Sequence, residues 1–348
     1  MRKGYFHEVH DRFGTEFWVN NASLSEIQLG LEGGAVGIAS NPSYISTLLK
    51  TEPEFVHETV DAIVGHASAD TDEEVLAMQV IQKTVSRPLG MFHEMYKQTD
   101  GRYGHVAIQG SPRKNHDLSA MLEEADVFHE MGENIIIKQP STVEGAKMLE
   151  ELTARGWSTI GTMCFSVSQY IYMAEAYHRG LKRTDKNPKC LITTLPGMFE
   201  EYLAEDAEKR GVEVSPDIIS QAWVSAARAA YKVYRERNYK AIILAGGARF
   251  TRHWTELVGP EFAMTLSGAL AETLIEEHPD VVNRMDTPAP QAVIKELRDK
   301  FPDFVRACDE GAMVPEEFRP YGPVVRFQNS LSKGFDTIIE QIQSKQPV

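Results

Sequence analysis

Two periods run through the chain. Short segments with little polar alternation stand at Phe17–Asn20, Ala35–Ser40, His105–Gln109, Ile135–Ile137, Ser158–Cys164, Lys189–Thr193, Lys240–Leu244 and Phe262–Leu266. That is how parallel strands covered on both faces read. Between them apolar residues recur at helical spacing. Helices are expected over Ser23–Leu31, around Ile45 and Leu48 with Ser43 as cap, and over Pro53–His66 and Glu73–Tyr96. In the last of these, Val75, Met78, Ile81 and Val85 mark the buried stripe and Pro88 is expected to kink the axis. Further helices are expected over Asp117–Met131, Val143–Leu152, Val167–His178, Phe199–Arg210 and Pro216–Asn238. No strand is followed by Gly-x-Gly-x-x-Gly, so alternating strands and helices favour a closed parallel (β/α)8 TIM barrel over a dinucleotide-binding sheet. The tail from His278, proline-rich at first and helical over Gly334–Ser344, is expected to pack back across the barrel. The chain then reads as one domain over residues 1–348, with the barrel at about 15–277 and a helical extension at about 278–348.

One strand end carries a reactive group. Ile135–Ile137 is followed by Lys138, a short loop over Gln139–Thr142, and a helix that Ser141 or Thr142 can cap. Barrel enzymes place their chemistry at the C-terminal strand ends, so Lys138 is expected half out of water and facing substrate. Partial desolvation and a neighbouring helix N-terminus both lower an ammonium pKa, and a neutral amine can attack a ketone to give a Schiff base.

Composition narrows the partners. The chain has 348 residues, 42% hydrophobic and 25% charged, with a net charge of −14. That balance repels phosphate backbones and argues against nucleic acid. No apolar run spans a bilayer, and Met1–Asp11 is polar and histidine-rich, which is not a secretory leader. A cytoplasmic protein without a membrane partner is expected. Cys164, Cys190 and Cys308 are too scattered for a disulfide frame or zinc site and read as small buried hydrophobes. His93, Glu94 and His253 read as helix-surface residues, and no metal or other cofactor is expected.

The segment Ile136-Ile137-Lys138-Gln139-Pro140-Ser141-Thr142-Val143-Glu144-Gly145, followed after a helix by Gly161-Thr162-Met163-Cys164-Phe165-Ser166-Val167-Ser168-Gln169, resembles the transaldolase family. Ser40-Asn41-Pro42-Ser43 and Gly246-Gly247-Ala248-Arg249 extend the resemblance over about Phe17–Ser267. It implies a Schiff-base class I aldolase that moves a dihydroxyacetone unit between sugars, and fructose 6-phosphate aldolase belongs to the same group. By this resemblance Lys138 forms the imine and Thr162 holds the water that shuttles protons. Asn41 bonds the dihydroxyacetone hydroxyls, Ser166 lies near substrate, and Arg249 binds a terminal anion. Small ketose and aldehyde substrates follow from it, and homo-oligomerisation stays open.

The chain also departs from the family's pattern. The aspartate that ends the first strand and serves as acid and base is Asn20, which carries no proton between pH 5 and 8. The third strand's glutamate is Gln109, as in the fructose 6-phosphate aldolases, where it helps hold the catalytic water. The sixth strand's serine is Thr193, an arginine that contacts phosphate is Met198, and the tyrosine the aldolases use is Leu195. A site with less charge of either sign implies an altered substrate or proton route rather than a standard pentose phosphate enzyme. A lyase that releases dihydroxyacetone, and a sugar-phosphate-binding barrel with impaired catalysis, stay open beside aldol transfer.

Overall fold

The computed structural model describes residues 4–68 and 70–345; Met1–Lys3 of the polar amino terminus and the last three residues of the expected domain lie outside them. Helix α1 (Tyr5–Phe13) precedes β1 (Glu16–Asn20), α2 (Leu24–Gly33) and β2 (Gly37–Ala39). Three helices follow, α3 (Tyr44–Thr51), α4 (Pro53–His66) and α5 (Glu73–Gln98), before β3 (His105–Gln109) and α6 (Leu118–His129). The order then runs β4 (Ile135–Pro140), α7 (Val143–Ala154), β5 (Thr159–Thr162), α8 (Val167–Leu181) and β6 (Cys190–Thr194). Helices α9 (Pro196–Arg210) and α10 (Pro216–Glu236) lead to β7 (Ile242–Ala245), the short α11 (Arg252–Thr255), β8 (Phe262–Leu266) and α12 (Gly268–Glu277). The tail forms α13 (Gln291–Lys300), α14 (Pro302–Cys308) and α15 (Gly322–Gln343). It is far more helical than its proline content suggests, because Pro302 and Pro323 sit in first turns, where a missing N–H leaves no bond unmade.

The strands pair in sequence order, all parallel, and β1 closes on β8. This is the α/β barrel expected from the alternation. One residue from each strand, Trp18, Ala39, Ala107, Ile136, Ile160, Leu191, Leu244 and Ala263, packs inside as a cluster separate from the apolar layer between strands and helices. Trp18 is the bulkiest of them, and Gly37 is small for its sake: a Cβ there would lie 2.7 Å from the indole ring. Below this layer partly buried Lys189 pairs with Glu16 at 2.7 Å, and Trp18 Nε1 donates to Glu16 at 3.0 Å.

Several local expectations change. Ser43 makes no side-chain cap; Asn41 Oδ1 takes the Ser43 N–H at 2.9 Å instead. Val75 is 46% exposed, and the buried stripe of α5 passes through Leu76, Ala77 and Val80. Helix α15 packs against α3, α4, α5 and α9, so the tail returns beside the helices that follow β2 and β6. Cys164 and Cys190 are buried free thiols, and Cys308 is partly buried. Among the described residues no helix is long and apolar enough to cross a membrane.

Candidate active site

Two residues beyond the inner cluster, toward the C-terminal strand ends, the inward positions are Asn20, Asn41, Gln109, Lys138, Thr162, Thr193, Gly246 and Thr265. Alternation puts the six that lie within strands on the same face as the cluster, and Asn41 and Gly246 follow the ends of β2 and β7. Apart from the glycine every one is polar, although the layer beneath is apolar. The change of polarity marks the mouth of the barrel.

Lys138 is the only buried lysine among the described residues, 7% exposed. It is less wet than a strand-end position suggests, because β4 runs two residues further, to Pro140. Its Nζ donates to the Ser40 carbonyl at 3.0 Å, and Ser40 is anchored in turn by its hydroxyl to the Ala107 carbonyl at 2.6 Å. Burial pushes the ammonium pKa down from 10.5 to about 8, with no carboxylate opposing it. Gln109 stands beside Lys138 in register. It is buried, and neither its amide oxygen nor its amide nitrogen has a partner among the described residues. The hydroxyls of Thr162, Thr193 and Thr265 are likewise buried and unpartnered. Buried polar atoms are rarely left unpaired unless water or a ligand meets them. Thr265 is the member that sequence reasoning missed; the alternation within Phe262–Leu266, one residue in and the next out, could have found it.

The remaining candidates are more committed. Asn20 is partly buried at the last position of β1. Asn41 Oδ1 accepts from Ser43 N and, at 3.3 Å, from Asn21 Nδ2, so its oxygen is spent on the turn. Ser166 is buried as the N-cap of α8: its Oγ accepts from Gln169 N at 3.2 Å and donates to the Gln169 carboxamide oxygen at 3.3 Å. That carboxamide also accepts from Phe165 N and donates to the carbonyls of Ser141 and Met163, tying the β4 and β5 loops together.

Arg249, after β7, is half-exposed and ion-paired. Its Nε donates to Glu201 at 2.9 Å and its Nη1 to the Gly247 carbonyl at 3.2 Å. The stem crosses Gly197, where a Cβ would come within 2.5 Å of Arg249 Cγ. His253 is not on a helix surface but fully buried. Its Nδ1 accepts the Arg249 backbone N–H at 3.0 Å, so the ring hydrogen sits on Nε2 and is donated to Glu200 at 3.2 Å. Glu200 also binds Arg252, with contacts of 2.6 and 3.1 Å, so Arg252 is structural. Four-residue α11 hides this histidine because the chain folds over it, which local periodicity does not record. A cleft of about 810 Å³ lies at the opposite end of the barrel, lined by Glu16, Arg102, Lys189 and Tyr239 among others, and contains none of the groups of the mouth.

Fold and site together describe an α/β barrel with one buried amine among unpaired amide and hydroxyl groups at its C-terminal mouth. Residues 17–311 match the Transaldolase/Fructose-6-phosphate aldolase family, and the chain belongs to that family of enzymes. It is 26% identical to a transaldolase of Thiobacillus denitrificans over 94% of this chain and 95% of the other. It is 25% identical to a transaldolase of Acidothermus cellulolyticus, covering 80% and 78% of the two chains, and to transaldolase 2 of a Nostoc species, covering 82% and 86%.

Proposed function

We propose that the protein cleaves and forms an aldol bond in an anionic ketose by covalent catalysis on Lys138, passing a dihydroxyacetone unit to an aldehyde acceptor. The observation that carries this reading is the buried Lys138 amine, whose only hydrogen-bond partner among the described residues is the Ser40 carbonyl and whose pKa falls to about 8. At pH 7.5 such an amine is roughly one-quarter neutral, against about one part in a thousand for an ordinary lysine. Only the neutral form attacks the ketone carbon. Loss of water from the carbinolamine, with a proton delivered to the departing hydroxyl, gives the iminium. The C3–C4 bond then breaks into it: the C4 hydroxyl loses its proton, the aldehyde leaves, and an enamine stays on Lys138. Attack of the enamine on a second aldehyde and hydrolysis of the new iminium complete the transfer.

In this reading Thr162 and Gln109 hold the water that moves protons, and their unpaired polar atoms support that role. Thr193, Asn41 and Ser166 line the substrate's polyol side, and Arg249 takes its anion. Asn20 cannot accept the C4 proton, so the proton leaves through the same water. Release of dihydroxyacetone instead of transfer differs only in whether the enamine is protonated and hydrolysed before an acceptor arrives. Asn20 also supports a second reading, a sugar-phosphate-binding barrel with little turnover.

Borohydride reduction with a panel of ketose phosphates and sulfonates, followed by peptide mass spectrometry, tests the proposal. A reduced sugar fragment on Lys138, absent from Lys138→Ala, is expected. An adduct on another lysine, or none with any ketose, refutes it.

A further inference from the structure

At the barrel mouth the helix after β6 and the C-terminal helix meet over one side chain. Met198 is buried, and the guanidiniums of Arg249 and Arg326 both reach its sulfur, at 3.7 and 3.3 Å. Arg326 belongs to α15, far along the chain, and no local pattern pointed to it. A single carboxylate bridges the two cations: Glu201 lies 2.9 Å from Arg249 Nε through one oxygen and 3.0 Å from Arg326 Nη1 through the other. Two guanidiniums held this close repel unless an anion stands between them.

Docking of α15 does not require that bridge. Glu205 already takes Arg326 through both its Nε, at 3.1 and 3.2 Å, and its Nη2, at 2.7 Å. Arg249 is fixed independently, its stem laid across Gly197 and its backbone N–H held by His253. The cations are therefore set by other contacts, while the carboxylate between them is 39% exposed on a rotatable side chain. This geometry presents an anion site occupied by the protein's own carboxylate, at the strand end where barrels commonly bind phosphate.

We propose that Glu201 is a built-in competitor for the substrate's anion: a terminal phosphate or sulfonate displaces its carboxylate from Arg249 and Arg326, and the C-terminal helix thereby supplies the second cation of the site. That a ketose bears the anion rests on the Lys138 reading above. The arrangement selects against weakly held anions, because any ligand must replace an ion pair already made. It also explains how Met198 can stand between two arginines without leaving the mouth short of charge.

Titration of the full-length protein with inorganic phosphate at constant ionic strength, by calorimetry, tests the displacement. Glu201→Gln keeps the shape and removes the competing charge, and should bind phosphate about tenfold more tightly than the native chain, as charge-assisted bonds to two guanidiniums become available. Adding Arg326→Gln should abolish that gain. Glu205→Gln removes an equal charge nearby without opening the bridge and should change affinity by less than about threefold. No gain in Glu201→Gln, or an equal gain in Glu205→Gln, overturns the proposal. Each variant is also reduced with borohydride in the presence of dihydroxyacetone, which has no anion. Labelling of Lys138 with no phosphate response refutes the Glu201 competitor alone. The expected phosphate response, with no labelling by dihydroxyacetone or by any ketose of the panel above, supports the anion site and refutes the Schiff-base reading.

Discussion

Lys138→Met should make the protein more stable near neutral pH, and the gain should shrink as pH rises. The amine has a pKa of about 8 in the folded chain and 10.5 as its ordinary value. Below pH 8 both states carry the proton, and the folded state bears the full cost of a buried ammonium. At about 1.4 kcal/mol per tenfold change in proton affinity, that cost is on the order of 3 kcal/mol. Between pH 8 and 10.5 the unfolded chain holds more protons than the folded one, so native stability rises with pH and the penalty fades. Methionine keeps the aliphatic stem and removes the charge, but leaves the Ser40 carbonyl without its donor, a loss of about 1 kcal/mol. The net expectation at pH 7 is a variant more stable by about 1 to 2 kcal/mol. Urea unfolding followed by tryptophan fluorescence at pH 7 and 9.5 measures both ends, and the advantage should fall by about 2 kcal/mol between them. Most core substitutions destabilise. A variant less stable than the native chain by the same amount at both pH values would refute the claim that burial strains this amine.

The same amine predicts that the initial rate of borohydride trapping rises with pH and reaches half its maximum near pH 8, rather than above pH 10. Asn20→Asp separates a weakened transaldolase from a specialised one: in the first case fructose 6-phosphate cleavage should rise at least about tenfold in a coupled assay. In the second it stays low and the native reaction suffers from a desolvated charge; no change in either would place Asn20 outside the site. His253→Leu removes the acceptor of the Arg249 N–H and should raise KM for an anionic ketose by about three- to tenfold with kcat nearly unchanged. His253→Asn, which keeps an acceptor near the position of Nδ1, should restore part of that loss; equal KM values in all three proteins would make His253 a packing residue only.

Period alone determined much of this molecule. A strand buried on both faces has to be apolar throughout, and a helix against a barrel shows a stripe every third or fourth residue, so helix Pro53–His66 and strands His105–Gln109 and Phe262–Leu266 run as their local patterns predict. The same logic puts Lys138 at the end of a strand, but β4 runs two residues past it and buries it more deeply than the pattern predicts. What the pattern could not carry is everything decided by barrel closure and by chain returning from a distance. Register put Gln109 beside Lys138 and left its amide unpaired, and inward alternation on β8 added Thr265 to the mouth. The fold over α11 buried His253 against Glu200. Arg249 reads in sequence as the ligand of a terminal anion after a glycine-rich strand end, yet it is engaged by Glu201 of helix α9. Arg326 reaches the same carboxylate from a helix more than a hundred residues beyond the β6 loop. Such pairings depend on which surfaces meet after the core has closed, and a side chain's own neighbours in sequence exert no force that would reveal them.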